Sequence, residues 1–210
     1  MSHLRTDRVK RAVDLAIGVP ALVVSLPVQA VVAALVARQL GRPVLFRQTR
    51  PGRHGQPFEL VKFRTMRPVD PTRGWVDDAS RLTAFGAALR STSLDELPTL
   101  WNVVRGDMSL VGPRPLLMQY LGRYSTEQAR RHDVRPGLTG LAQVSGRNAL
   151  GWPDRLRLDV EYVDRRSLAL DLAILARTVR SVLRRDGITG AGHATVEEFL
   201  GSSAAAGSAG

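Results

Sequence analysis

The stretch Leu15–Ala37 has the sequence LAIGVPALVVSLPVQAVVAALVA and contains 23 residues without a charge. An apolar run of about eighteen or more residues is typical of a membrane helix. The run is too long for the apolar core of a signal peptide, which spans about 7–15 residues. We therefore expect this segment to enter a membrane.

Prolines and flanking charges bear on how the segment enters. Pro20 and Pro27 lie inside the run, and a proline in a helix interior removes a hydrogen bond and kinks the helix. A spanning helix usually has its Lys and Arg excess at one end, whereas here both flanks are basic. The pattern favours a re-entrant helix that bends near Ser25-Leu26-Pro27 over a spanning one, with Ser25 or water satisfying the carbonyl that Pro27 leaves free. The flanking cations are Arg5, Arg8, Lys10, Arg11, Arg38, Arg42, Arg47, Arg50 and Arg53.

The overall charge indicates an anionic partner. The 210 residues include 30 Lys+Arg and 19 Asp+Glu, a net charge of +11, and the excess lies mainly in the first third. Such an excess is typical of proteins that bind nucleic acid, anionic lipid or phosphorylated substrates. Only 5% of the residues are aromatic and no nucleic-acid-binding motif is present, so we expect anionic headgroups and no nucleic acid.

The composition also excludes several kinds of site. Cysteine is absent, which rules out disulfides, thiolate metal sites and cysteine nucleophiles. The four histidines are scattered without the spacing of zinc ligands, so a zinc site built from histidine is not expected.

The remainder of the chain predicts a soluble α+β unit that is mainly helical. Residues 44–48 and 58–62 form short strand-like runs on either side of turn residues, which predicts a small β-hairpin. Helices are predicted over 79–89, 125–132, 152–165 and 167–185. We divide the chain into a basic flank with the re-entrant helix (1–42), a catalytic domain (43–186) and a C-terminal tail (187–210) that is flexible from about 201.

The last predicted helix is strongly amphipathic. Its apolar stripe either packs on the core or lies in the membrane interface, and we favour the second because the first helix already fixes the chain to a membrane. The stripe consists of Leu168, Leu172, Leu175, Val179, Val182 and Leu183.

Two adjacent carboxylates, Asp95 and Glu96, lie in STSLDELPTLWNVV (91–104). Ser93 and Glu96 have the spacing of a capping box, but Pro98 favours a helix that starts close to Asp95. Either start places both carboxylates at a positive helix end, which favours their ionised form. Helical neighbours diverge by about 100°, so the two should have different roles. From these residues alone, capping is the better interpretation.

Several cations have the surroundings of phosphate ligands. Arg114 lies between two prolines, which fix its backbone and aim a guanidinium suited to bidentate phosphate contact; the alternative is a solvated arginine on a surface turn. Residues 135–148, RPGLTGLAQVSGRN, resemble an anion-cradling loop. Lys62 ends the second predicted strand, either as a phosphate ligand or as an ordinary strand-end charge.

Taken together, the motifs resemble those of the bacterial monotopic phosphoglycosyl transferases, also called bacterial sugar transferases. The resemblance extends from about Lys10 to Phe199, and the length fits the short, single-domain form. One departure is that this family commonly has Ser directly before the Pro at the bend, whereas here Leu26 separates Ser25 from Pro27. The matching motifs are KRAVD (10–14), FRQ (46–48), GR (52–53), KFRTM (62–66), TSLDELP (92–98), GDMSLVGPRP (106–115), PGLTGLAQ (136–143) and GHATVEEF (192–199).

The resemblance implies transfer of sugar-1-phosphate from a nucleotide diphosphosugar, usually a UDP-sugar, to polyprenol phosphate. The products are polyprenol diphosphosugar and UMP, in the first membrane step of exopolysaccharide, O-antigen or glycoprotein glycan assembly. It implies Asp95 as nucleophile, Glu96 as its assistant, and Mg²⁺ at the diphosphate with Asp95 as a ligand. It also implies a location on the cytoplasmic face of the bacterial inner membrane. The phosphate-binding set is Lys62, Arg64, Arg90, Arg114 and Arg147.

A non-catalytic membrane scaffold of the same fold is the alternative, against which the intact Asp95-Glu96 pair argues. The sugar, the glycan pathway and the oligomeric state stay open at this point.

Overall fold

The computed structural model of the chain describes residues 2–146, 150–184 and 198–201. Arg147 and all of the predicted tail except 198–201 lie outside these ranges. The helices are α1 (Ser2–Leu40), α2 (Asp78–Arg81), α3 (Ala84–Ser91), α4 (Thr99–Arg105), α5 (Thr126–Ala129), α6 (Leu141–Ser145), α7 (Trp152–Arg165) and α8 (Leu168–Arg184). The strands are β1 (Leu45–Pro51), β2 (Pro57–Phe63), β3 (Ser109–Val111) and β4 (Gly137–Thr139).

The predicted β-hairpin is confirmed. Strands β1 and β2 pair antiparallel, with Leu45 opposite Phe63 and Pro51 opposite Pro57. Both strands extend further into the intervening segment than predicted, and a short 3₁₀ turn at Arg53–Gly55 joins them. The fold is mainly helical with small sheets, as expected for an α+β chain.

The prediction of one helix over 79–89 was wrong, because the structure divides it into α2 and α3. Leu82 has extended backbone angles, and Thr83 starts a new helix by accepting a hydrogen bond from the Gly86 amide at 3.0 Å. Gly86 is required there, since a Cβ would lie 1.8 Å from the Thr65 carbonyl oxygen. The segment predicted over 125–132 is the short α5 followed by a 3₁₀ turn, whereas α7 and α8 follow the predictions closely.

A two-stranded parallel sheet was not predicted. Strand β3 pairs with β4, with Ser109 opposite Gly137 and Val111 opposite Thr139. A Cβ on Gly137 would lie 2.1 Å from the Gly112 nitrogen, so the close approach depends on glycine. This pairing fixes the turn that follows β3, which carries Arg114, against the PGLTG segment.

The main core lies between α4, β3, α7 and α8. Tyr162 and Ile174 are each 1% exposed, so these positions are fully enclosed. Around Val32 and Val36, a second cluster joins the end of α1 to β2 and α3. The main cluster comprises Phe58, Leu100, Val103, Met108, Leu110, Val111, Val134, Leu141, Tyr162 and Ile174.

Helix α1 runs through Pro20 and Pro27 and is the described helix that is long and apolar enough to cross a membrane, over Asp7–Leu40. Its middle is uncovered by protein, with Val24 77% exposed. The Ser25 hydroxyl donates to the Leu22 carbonyl at 2.9 Å. The carbonyl that Pro27 leaves free belongs to Val23, four residues before it. Ser25 was expected to bond to that carbonyl, but in the structure it bonds to the carbonyl of Leu22.

Polar side chains of the KRAVD segment hold α1 on the soluble unit. Arg11 donates to the Val103 and Val104 carbonyls at 2.6 and 2.7 Å, at the C-terminal end of α4. Asp14, 4% exposed, accepts from the Leu110 amide at 3.0 Å. These bonds give a structural reason for the charged residues that precede the apolar run.

Candidate active site

Asp95 and Glu96 lie in a 3₁₀ turn, Leu94–Glu96, that precedes α4. The capping box that the spacing of Ser93 and Glu96 allows does not form, because Ser93 has a left-handed backbone (φ 58°, ψ 14°) and its side chain makes no capping bond. The favoured start of the helix close to Asp95 was also wrong, because that residue lies in the 3₁₀ turn. Helix α4 starts at Thr99, with Pro98 as its N-cap. The two carboxylates are therefore placed by a tight turn just before the helix.

The Asp95 carboxyl is buried, with only 4% of the residue exposed. Burial, and next the negative charge of Glu96, raise its pKa to about 6, although Lys62, Arg114 and Arg90 act in the opposite direction. The sequence argument from a helix end left burial out, and the removal of this carboxyl from water outweighs the favourable charges around it. A pKa of about 6 still leaves most molecules ionised at neutral pH.

Three of the predicted phosphate ligands gather around this carboxyl. Lys62 comes from β2, Arg90 from the end of α3, and Arg114 from the turn after β3. Burial lowers the pKa of Lys62, and the charge of Asp95 opposes that effect. Burial likewise lowers the pKa of Arg90, again opposed chiefly by Asp95. One carboxylate therefore interacts with cations from three separate elements.

Arg114 pairs with Glu96. Its Nη2 atom lies 2.6 Å from Glu96 Oε1, with 48% of the Arg114 side chain and 26% of the Glu96 side chain exposed. Glu96 is also the main cause that raises the pKa of Arg114. The side chain on the Pro-Arg-Pro turn is thus aimed at the carboxylate pair, and half of it stays accessible to a ligand.

Arg90 is held in place by the chain that follows β2. Its Nε donates to Thr65 Oγ1 at 3.0 Å, and Thr65 is 3% exposed. The close contact between Gly86 and the Thr65 carbonyl brings α3 against this segment. Local packing therefore sets the direction of Arg90.

Arg64 is placed elsewhere. Its guanidinium donates to the Leu40 carbonyl at 2.5 Å and to the Gly41 carbonyl. These are the carbonyls at the C-terminal end of α1, a position that favours a cation. In this structure Arg64, a predicted phosphate ligand, ties the end of α1 to the end of β2.

Three residues that were not predicted from the sequence support the turn that carries Arg114: Arg131, Asp159 and Arg50. Arg131 and Asp159 form an ion pair of 2.6 Å whose side chains are 1% and 3% exposed, and Arg131 Nη2 donates to the Arg114 carbonyl at 2.7 Å. Arg50 donates to the Pro115 carbonyl at 3.4 Å, and burial, followed by the charge of Arg114, lowers its pKa to about 10. No spacing in the sequence links these residues to Arg114.

The carboxylates of the site suit a metal ion that is held partly by the substrate, not one enclosed by protein ligands alone. Within residues 2–146, 150–184 and 198–201, no cluster of three or more His, Asp or Glu could enclose a metal ion. Mg²⁺ is commonly held by one or two carboxylates together with substrate phosphates and water. Asp95, a buried carboxylate whose charge interacts with Lys62, Arg90 and Arg114, is the residue that suits this arrangement with substrate phosphates.

The family model for bacterial sugar transferases matches residues 5–185. The chain belongs to the bacterial sugar transferase family. The identification as a phosphoglycosyl transferase is confirmed, and the chain is an enzyme that transfers sugar phosphate.

Three relatives illustrate the range of this family. An uncharacterized sugar transferase, EpsL, of Bacillus subtilis is 54% identical over 170 residues, or 80% of this chain and 84% of the relative. The UDP-glucose:undecaprenyl-phosphate glucose-1-phosphate transferase of Caulobacter vibrioides is 39% identical, over 89% of this chain and 74% of the relative. The UDP-galactose-lipid carrier transferase of Erwinia amylovora is 40% identical over 85% of this chain. The matched region covers only 41% of that relative's length.

Proposed function

We propose that the chain transfers sugar-1-phosphate from a UDP-sugar to polyprenol phosphate, through a covalent intermediate on Asp95. The observation that carries this proposal is the buried Asp95 carboxyl, whose charge interacts with those of Lys62, Arg90 and Arg114. Two relatives add support, since one is a UDP-glucose:undecaprenyl-phosphate glucose-1-phosphate transferase and another is a UDP-galactose-lipid carrier transferase.

In the first step, an ionised Asp95 oxygen attacks the phosphorus that bears the sugar. A bond forms between that oxygen and phosphorus, and the bond from phosphorus to the bridging diphosphate oxygen breaks. The electron pair of the broken bond leaves with UMP. A carboxylate nucleophile in this way divides one difficult transfer into two.

In the second step, an oxygen of polyprenol phosphate attacks the same phosphorus and Asp95 leaves as a carboxylate. Phosphoryl transfer depends chiefly on positioning and on neutralising charge. Lys62, Arg90 and Arg114 supply positive charge around the reacting phosphorus, and the guanidinium fork of Arg114 suits bidentate phosphate contact. Mg²⁺, held by Asp95 and substrate phosphates, would neutralise further diphosphate charge.

Glu96 is positioned to assist this chemistry indirectly. In the structure its carboxylate holds Arg114 at 2.6 Å, so a substrate phosphate would compete with it for the guanidinium. Its negative charge also contributes to the raised pKa of Asp95. We assign Glu96 to orienting Arg114 rather than to attacking phosphorus.

The acceptor lies in a membrane, and we propose that α1 reaches it as a re-entrant helix on the cytoplasmic face of the inner membrane. Both ends of α1 pack on one soluble unit: Arg11 binds the end of α4, and Val36, fully buried, joins Phe63 and Leu89. Between them, Val23 to Val31 is largely exposed on all sides, as expected for a segment surrounded by lipid.

Helix α8 supports the same placement. The side that packs on the core is centred on Asp171 and Ile174, whereas Leu172 and Val179 of the predicted stripe are 57% and 59% exposed. An exposed apolar stripe beside a membrane helix suits an interfacial helix, with its nearby arginines at anionic headgroups.

The decisive experiment traps the intermediate. The purified enzyme is incubated with UDP-galactose or UDP-glucose, radiolabelled in the sugar, without acceptor. We expect UMP release, label on the protein, and release of that label by hydroxylamine, as for an acyl phosphate. Asp95→Asn should retain no label, while Asp154→Asn, which changes an exposed carboxylate on α7, should retain as much as wild type. Normal turnover without any protein adduct would replace the two-step reaction with direct transfer.

A further inference from the structure

The buried Arg131–Asp159 pair contacts the Arg114 turn directly. Arg131 Nε and Nη2 both donate to Asp159 Oδ2, at 3.1 and 2.6 Å, and Nη2 also donates to the Arg114 carbonyl at 2.7 Å. Asp159 lies on α7 and Arg131 in the 3₁₀ turn Arg130–His132, so the pair joins two elements to the turn that bears Arg114.

A contribution to stability does not explain why Arg131 and Asp159 are charged. Both side chains are almost fully enclosed, and removing two charges from water costs nearly as much as, or more than, their mutual attraction returns. Replacing such a pair with apolar residues of similar volume is often neutral or stabilising. Burial raises the pKa of Asp159, which shows how unfavourable this environment is for charge.

The hydrogen bond from Arg131 to the Arg114 carbonyl indicates a role for the pair other than stability. Other bonds already hold the neighbouring carbonyls: Tyr162 Oη donates to Val111 at 3.0 Å, and the Gly137 amide donates to Pro113 at 3.0 Å. Arg131 adds a charge-assisted bond at the residue whose side chain faces the carboxylates, and such bonds are stronger than neutral ones.

We infer that Arg131, oriented by Asp159, is a positioning residue that fixes the backbone of Arg114 and so directs its guanidinium at the substrate phosphate. This inference rests on the proposed function of Arg114. Arg131 itself does not touch the reacting atoms: it is covered by α7 and by Tyr124, whose ring centre lies 5.6 Å from its guanidinium carbon.

The test replaces both members of the pair, so that neither is left as a buried charge without the other. The double variant Arg131→Met with Asp159→Leu keeps volume and apolar packing, so we expect its thermal unfolding temperature in nanodiscs to stay close to that of wild type. UMP release with UDP-galactose or UDP-glucose should fall about a hundredfold, the effect of an ångström-scale misplacement of a positioning group.

A double-mutant cycle separates positioning from general structural support. The pair replacement is repeated in an Arg114→Ala background. If Arg131 acts through the Arg114 side chain, it should cause no further loss there. Losses that multiply, or a folded pair variant with wild-type turnover, would overturn the inference.

A neighbouring pair provides the matched control. Arg130 adjoins Arg131 and pairs with Asp164 on the same helix, α7, but both side chains are partly exposed. Arg130→Gln should leave turnover unchanged. If the pair variant fails to fold, Arg131→Lys serves in the same cycle, since an ammonium keeps the charge beside Asp159 but lacks the planar fork that reaches both partners.

The outcomes also separate this inference from the function on which it rests. Wild-type turnover of Arg114→Ala would remove the proposed role of Arg114, and the inference with it. An inactive Arg114→Ala combined with multiplicative losses for the pair would leave the function intact and reject only the positioning role.

Discussion

The Arg114 guanidinium is bonded to Glu96 at 2.6 Å, while the adjacent Asp95 is buried beneath the same group of charges. The two neighbouring carboxylates thus have different surroundings. Glu96 is paired with an accessible arginine, whereas Asp95 is removed from water and its pKa is raised to about 6. The division of roles proposed for the pair follows from this difference.

Replacing Arg114 with lysine should separate geometry from charge. Because an ammonium cannot make the planar bidentate contact of a guanidinium, we expect Arg114→Lys to lower UMP release by at least tenfold. The exposed pair with Glu96 adds at most about 1 kcal/mol to stability, so the thermal unfolding temperature should change little. Arg47→Lys is the control, since Arg47 also pairs at 2.6 Å with an exposed glutamate, Glu59. Equal turnover of Arg114→Lys and wild type would make Arg114 an ordinary surface charge.

The raised pKa of Asp95 predicts how the rate depends on pH. Since the nucleophile must be ionised, formation of the protein adduct from radiolabelled UDP-sugar should rise with pH, reach half its maximum near pH 6, and level off above it. Rapid-quench measurement of the first step between pH 4.5 and 8 tests this expectation. A rate that falls as pH rises through 6 would show that a protonated group, not the Asp95 carboxylate, limits the step.

The same shift predicts that Asp95→Asn stabilises the fold. A carboxyl with a higher pKa in the folded than in the unfolded state binds more protons when folded, so stability falls as pH rises from about 4 to about 6 and is constant above that. A shift from 3.8 to about 6 corresponds to about 3 kcal/mol at neutral pH. Asp95→Asn should therefore unfold at a higher temperature than wild type at pH 7, with the difference lost below pH 4. A lower unfolding temperature for Asp95→Asn at pH 7 would contradict this.

The sequence predicted much of the fold because its decisive signals are local. The apolar run, the turn residues between two strand-like segments and the 3.6-residue periodicity of α7 and α8 each lie within a short window. The split between α2 and α3 was missed because Leu82, between them, is extended and pairs with Met66 in the segment that follows β2.

The candidate site shows the same limit. Proline on both sides of Arg114 indicated a fixed turn, and Asp95, Lys62 and Arg90 do converge. Arg131 and Asp159 are separated by 28 residues and pair only because α7 folds back onto the turn before β4. The raised pKa of Asp95 could not be predicted for a related reason: burial depends on tertiary packing, which the helix-end argument leaves out.

Gly86 offers a test of how packing sets the direction of Arg90. A Cβ at this position would meet the Thr65 backbone at 1.8 Å, so α3 must shift away. We expect Gly86→Ala to destabilise the fold by roughly 1–3 kcal/mol, the usual cost of overpacking, and to lower turnover. Gly122→Ala is the control, because no atom lies within 4 Å of its Cβ position. If Gly86→Ala matched Gly122→Ala in stability and rate, the contact with Thr65 would not hold Arg90 in place.

The topology of α1 can be tested with single cysteines, since the chain has none of its own. Arg8 and Arg42 are exposed residues on either side of the apolar stretch. A re-entrant helix places both on the cytoplasmic face, so Arg8→Cys and Arg42→Cys should both react with a membrane-impermeant maleimide in inverted vesicles and not in intact spheroplasts. Val24 is not covered by protein, since it is 77% exposed, but in a re-entrant helix it would lie in lipid. Val24→Cys should therefore react slowly in both preparations and quickly once the bilayer is dissolved in detergent. A spanning helix would instead place Arg8 and Arg42 on opposite faces, and labelling of one in spheroplasts and the other in inverted vesicles would reject the re-entrant arrangement.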